Sequence, residues 1–167
     1  MQLLKKEELK NILPKDGPSI EETNKYLEKY SKDYIVIKMG GSVLSNKNLF
    51  NSLVQDIAIL KKLGLNIFLI HGGGTKISAR LNDLNIKSNF INGLRVTDKK
   101  IIKIVESVLI DFNNEITNAL KNQSCQTRRV TSKEHNIIIV RPASDKLGFV
   151  GIPTYVKKNI LKEIINN

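Results

Sequence analysis

The hydrophobic positions switch between two periods along the chain, and the switches mark the elements. Residues 1–13 space their apolar side chains as a short amphipathic helix that Pro14 stops, and Lys15-Asp16-Gly17-Pro18 reads as a loop. Ser19 and Glu22 stand at capping-box spacing ahead of a helix over Ile20–Tyr30. Its thin apolar content predicts packing outside the main core. Tyr34–Met39 is β-branched and almost continuously apolar, the pattern of a buried strand in a parallel sheet. After Gly40-Gly41, the apolar series Leu49, Leu53, Ile57 and Leu60 predicts a helix over Leu49–Leu63, with Gly64 as its stop. A strand over Asn66–Ile70 runs into His71-Gly72-Gly73-Gly74. Ile77, Leu81 and Leu84 then mark one face of a helix starting near Thr75.

Asn92-Gly93 lies between two short extended runs, which is a hairpin signal. Thr97 or Asp98 can cap a long helix reaching Leu120, with Ile101, Val105, Val108, Phe112, Ile116 and Leu120 facing inward. Cys125–Thr131, Asn136–Arg141 and Phe149–Val156 are predicted strands, the last weakened by Pro153, and residues 158–165 a final helix. Alternation of strands and helices predicts an α/β fold, a three-layer αβα sandwich with a largely parallel central sheet. Residues 1–32 are expected to form a helical extension and residues 33–167 the domain proper.

Composition narrows the class. At 167 residues, 41% of them apolar, one core can form without disulfides or metals. The single cysteine, Cys125, reads as a buried small hydrophobe. No apolar run approaches the roughly 20 residues of a membrane span, and the first ten residues lack a signal-peptide core, so a cytoplasmic protein without a membrane partner is expected. The formal charge is +11, but the lysines are scattered. Solvated lysine faces account for them better than a nucleic-acid surface, which would need a basic stripe with interleaved aromatics.

The candidate chemistry lies in the two glycine clusters, each following a strand and preceding a helix. Free amides at a helix start attract anions, and glycine lets an anion approach closely. Lys38, two residues before Gly40, adds a full charge. Such a mouth suits phosphoryl transfer, which depends on positioning and charge stabilisation. The sequence lacks a P-loop, a dinucleotide fingerprint and a nucleophile elbow. Its two histidines, His71 and His135, have no ligand cluster beside them, so no metal site is expected. His71 reads as bracing its loop.

These segments resemble the amino-acid kinases, and among them the N-acetylglutamate kinases. Ile35-Val36-Ile37-Lys38-Met39-Gly40-Gly41 is similar to the opening strand and loop, and Ile70-His71-Gly72-Gly73-Gly74 to the second glycine loop. Asn92-Gly93-Leu94-Arg95-Val96-Thr97 is similar to a signature specific to N-acetylglutamate kinases, and Leu147–Gly151 to a further stretch. The resemblance implies ATP-dependent phosphorylation of the N-acetyl-L-glutamate side-chain carboxylate, in arginine biosynthesis. It gives Lys38 the role of transition-state stabiliser, Gly40 and Gly41 that of phosphate binding, and Gly73, Gly74 and Arg95 that of holding the substrate. It implies ATP-Mg for full-length members, and a homo-oligomer joined through the N-terminal helix.

The family's chain continues well beyond 167 residues, with most of the ATP pocket in that further part. The expectation is therefore an N-terminal half, impaired or inactive alone. A half-enzyme completed by a separate chain and a non-catalytic interaction or regulatory domain are the alternatives. Thr131-Ser132-Lys133-Glu134-His135 also stands where the family has a glycine-rich turn.

Overall fold

The computed structural model of the chain describes residues 6–166; the part of the first expected helix over residues 1–5 lies outside them. The chain divides into two compact units, one of residues 1–72 and 116–127, the other of residues 73–115 and 128–167.

The first unit contains the helices α1 (Lys6–Ile12) and α2 (Ile20–Tyr30), the strand β1 (Tyr34–Met39), the helices α3 (Gly41–Ser45) and α4 (Lys47–Lys62), and the strand β2 (Asn66–His71). β1 and β2 pair in parallel, from Tyr34 opposite Asn66 to Met39 opposite His71. Ser19 caps α2, its hydroxyl accepting from the Glu22 amide at 3.1 Å. The expectation that α2 packs outside the core is corrected: Leu27 is buried with Leu9, Leu63 and Leu65, and Ile35 and Ile67 of the strands pack on the same cluster. A few well-placed apolar residues suffice where neighbouring helices supply the rest.

The strand β1 is not buried on both faces. Ile35 and Ile37 are half-buried, whereas Tyr34, Val36 and Lys38 are exposed, Val36 at 59% and its neighbour Ile70 at 53%. α4 starts earlier than expected because the Asn46 side chain accepts from the Asn48 and Leu49 amides. Leu49 lies exposed in its first turn, and Val54 and Ile57 are the buried positions. The helix ends as the glycine predicts: Gly64 has φ +90°, with Leu65 N–H donating to the Leu60 carbonyl and Gly64 N–H to Lys61.

The second unit holds α5 (Gly74–Asp83), the strands β3 (Phe90–Ile91) and β4 (Leu94–Arg95), most of α6 (Lys99–Asn122), the one-turn helix α7 (Ser132–His135), β5 (Ile138–Pro142), β6 (Gly151–Val156) and α8 (Lys158–Asn166). Asn92 and Gly93, at φ +49° and +79°, form the expected turn between β3 and β4. Asp98 rather than Thr97 caps α6, its carboxylate accepting from the Lys100 and Ile101 amides at 2.8 and 2.7 Å. Ile77, Leu81 and Ile101 form the core between α5 and α6, with Val105 and Val108 packed against it. Leu84 is the C-cap of α5 and is exposed, not inward-facing.

Residues 125–130 form no strand, which corrects that expectation. Their polar groups bond to helices instead of a ladder: the Arg129 guanidinium donates to Asn114 Oδ1 at 3.0 Å and pairs with Glu134, and Asn113 Nδ2 donates to the Val130 carbonyl. Cys125 is buried, as expected. The glycine-free segment at 131–135 caps itself. Thr131 Oγ1 accepts from the Glu134 amide, and Asn136 takes the left-handed position at φ +48° where glycine would serve. β5 and β6 pair antiparallel, with a register shift opposite Thr154 that accommodates Pro153.

Candidate functional site

The parallel register of β1 and β2 sets a first group of candidate residues. Both strands end at the same level, so Gly40 and Gly72 leave the carboxyl ends of neighbouring strands, where ligands of open α/β sheets bind. Lys38 is exposed on β1, opposite Ile70 in the register. Gly40 caps α3 without any side-chain hydrogen bond, and Gly41 is the first residue of that helix. His71 is half-buried, and its Nδ1 lies 3.1 Å from the Gly72 carbonyl, to which it donates. That contact braces the loop.

A second group of candidate residues lies in the unit beginning at Gly73. Gly73 is the N-cap of α5 and Gly74 its first residue. The glycines differ in what demands them. At Gly73 an added Cβ would sit 2.5 Å from Leu109 Cδ2, so a larger residue there would have to displace that side chain. At Gly40, Gly72 and Gly74 an added Cβ would meet nothing within 4 Å, and none of the three has positive φ. Among the described residues nothing requires glycine there, whereas a ligand approaching the backbone would.

Arg95 is held in this unit by three neighbours. It follows the hairpin turn on β4, and its guanidinium carbon lies 4.7 Å from the centre of the Phe90 ring. One terminal nitrogen donates to Ser78 Oγ at 2.9 Å and the other to Ser88 Oγ. Ser78 stands one turn into α5 from Gly74, so the guanidinium is held near the amide end of that helix. Partial burial lowers the Arg95 pKa through desolvation. A guanidinium has five N–H donors, and the two serines engage one on each terminal nitrogen. The two serines were invisible to sequence reasoning: they lie 17 and 7 residues from Arg95 and belong to no motif.

Lys38, Gly40 and Gly41 fall in one compact unit, and Gly73, Gly74 and Arg95 in the other. Among the described residues no three His, Cys, Asp or Glu side chains gather as for a metal, and no helix is long and apolar enough to cross a membrane.

The sequence profile of the Amino acid kinase family matches residues 33–167. The acetylglutamate kinase of Pelagibacter ubique (strain HTCC1062) is 57% identical over 165 residues, covering 99% of this chain and 57% of that protein. That of Campylobacter fetus subsp. fetus (strain 82-40) is 38% identical over 144 residues, covering 85% and 51%. The chain thus spans little more than half the length of these curated relatives. Among solved structures, smu.665 from Streptococcus mutans UA159 superposes with a TM-score of 0.68 at 27% identity, over 81% of this chain and 56% of that one. The N-acetylglutamate synthase from Neisseria gonorrhoeae, complexed with coenzyme A and N-acetyl-glutamate, gives 0.67 at 20% identity, over 89% and 36%, a likeness of fold.

Proposed function

Because the chain belongs to the amino acid kinase family, we propose that it supplies the acceptor-binding part of an acetylglutamate kinase, acting in arginine biosynthesis. The observation that carries this reading is Arg95, fixed between Ser78, Ser88 and the Phe90 ring near the start of α5. A planar fork held this way recognises a carboxylate with two parallel hydrogen bonds. N-acetyl-L-glutamate carries two carboxylates. Arg95 takes one, and the amide end of α5 at Gly74 favours negative charge on the other.

In the other unit, Lys38 offers a mobile ammonium and Gly40 and Gly41 offer backbone amides, the groups that stabilise a transferring phosphoryl. ATP with Mg would supply that phosphoryl group. On this reading, transfer draws also on the further length that the curated relatives carry. On the same reading the protein acts in the cytoplasm.

Thermal unfolding with added N-acetyl-L-glutamate tests the reading. A ligand present at about 100 times its Kd stabilises the folded state by about 2.7 kcal/mol, a shift of several degrees. The shift should saturate, and Arg95→Lys, which keeps the charge and loses the fork, should remove most of it. No shift at tens of millimolar ligand would dismiss substrate binding.

A second reading has its own support. β5 and β6 are exposed along their whole length although Ile138, Ile139, Val140, Ile152, Tyr155 and Val156 are apolar. Such a surface suits burial under further polypeptide, in the same or a separate chain. Mixing this chain with the C-terminal part of its Pelagibacter relative should then produce acyl phosphate from ATP and N-acetyl-L-glutamate. No activity from a mixture that forms a complex would count against it.

A further inference from the structure

Asn92 is the one asparagine of the chain that a glycine follows. Both residues of the pair are exposed, at the tip of the hairpin between β3 and β4. A Cβ added at Gly93 would meet nothing within 4 Å, so no side chain shields the Gly93 nitrogen. Among the described residues that amide donates to no acceptor.

An unshielded peptide nitrogen next to an asparagine side chain can close a ring on it. The Gly93 nitrogen gives up its proton to hydroxide and attacks Asn92 Cγ. The N–Cγ bond forms, the Cγ–Nδ2 bond breaks, and Nδ2 takes a proton from solvent and leaves as ammonia. Water then opens the cyclic imide. Cleavage of the new N–Cγ bond leaves aspartate at position 92. Cleavage of the original peptide bond routes the backbone through Cγ instead, which adds a carbon to the main chain and gives isoaspartate. Water and hydroxide are the only co-reactants.

The ring closes when the turn opens, and little holds the turn shut. Its ladder has two residue pairs, Phe90 with Arg95 and Ile91 with Leu94, extended by a bond from the Val96 amide to the Asn89 carbonyl at 2.8 Å. Ile91 and Leu94 are exposed, so packing adds little. A ladder this short opens readily.

Both products act on Arg95. A two-residue loop fits the twist of its strands only with positive φ at both residues, here +49° and +79°. The extra main-chain carbon of isoaspartate breaks that fit and shifts the register that sets Arg95 opposite Phe90. Aspartate tolerates the turn but places a carboxylate three residues from the guanidinium, where it competes for the same fork.

We propose that Asn92 is a site of spontaneous deamidation whose conversion disables the Arg95 fork. The loss of ligand binding rests on the function proposed above; the modification and the displacement of Arg95 do not.

Ageing the folded chain in mildly alkaline buffer tests this. Peptide mapping should show Asn92 converting ahead of every other asparagine, mostly to isoaspartate. The Arg95 guanidinium nitrogen resonances, assigned by their loss in Arg95→Lys, should shift in step. N-acetyl-L-glutamate affinity of the converted chain should fall at least about tenfold. Asn92→Gly keeps a pair that the turn accepts and has no amide to lose, so its resonances and affinity should survive the same ageing. An Asn92 still intact when a free peptide of residues 88–97 has fully converted would overturn the proposal. So would a converted chain with unchanged Arg95 resonances, or one that binds as the fresh chain does. A fresh chain that binds no N-acetyl-L-glutamate would dismiss the proposed function alone, since mapping and the arginine resonances are read without ligand.

Discussion

Gly148→Ala strikes a point where the backbone leaves no room to adapt. Gly148 has φ +68° and ψ −125°, a conformation essentially restricted to glycine. It pairs in a parallel bridge with Thr97, whose amide donates to the Leu147 carbonyl at 2.9 Å and whose carbonyl accepts from Phe149 at 2.7 Å. An added Cβ would overlap that Thr97 carbonyl oxygen, a backbone atom that cannot swing aside. The strained dihedrals cost about 1–3 kcal/mol. Opening the bridge to relieve the overlap gives up two backbone hydrogen bonds at about 1 kcal/mol each. The expected loss is about 3–5 kcal/mol, a large share of the roughly 5–15 kcal/mol typical of a domain. Urea titration followed by circular dichroism reads it as a lower midpoint. Thr97 also donates through Oγ1 to the Arg95 carbonyl at 2.9 Å, so ligand affinity should fall with stability. A variant within about 1 kcal/mol of wild type, with unchanged slope, would refute the reasoning.

Gly74→Ala should do the opposite: alanine is the better helix former and meets no atom at this first position of α5, so stability holds or rises slightly while N-acetyl-L-glutamate affinity drops at least about tenfold. Paired melting and titration experiments check both halves, and unchanged affinity would show that the glycine serves no ligand. Thr23 is buried with its hydroxyl unpartnered, so Thr23→Val should raise stability by about 1 kcal/mol in the same urea assay. Burial pushes the Cys125 thiol above its ordinary value of 9.0, with Lys61 opposing. The unfolded chain therefore loses this proton first, and stability present below about pH 9 declines as pH rises through the folded value. Cys125→Ala should flatten that part of the decline, which sets in above about pH 9.

Much of the fold was legible because its signals are local. Asn92-Gly93 dictates a two-residue turn, Gly64 a helix stop, and the apolar series of α6 a long amphipathic helix, and each requires only its own neighbours in sequence. The misses share a different cause. The Val36 face of β1 reads as buried in sequence, but whether a strand face is covered depends on what packs over it. Residues 125–130 look extended, yet a strand needs a partner, and here the side chains of Asn113, Asn114 and Glu134 take up that segment's hydrogen bonds. At the candidate site, the glycine loops and Arg95 stood out as motif residues. Ser78 and Ser88, which aim Arg95, did not, because tertiary hydrogen bonds leave no periodic trace.

On the proposed reading, this chain recognises N-acetyl-L-glutamate through Arg95. Isothermal titration of the 167-residue chain with N-acetyl-L-glutamate, with and without ATP-Mg, tests it most directly. Saturable binding of one ligand per chain is expected, little altered by ATP-Mg and abolished in a folded Arg95→Ala variant. Absence of heat at millimolar ligand, or equal binding by Arg95→Ala, would contradict it.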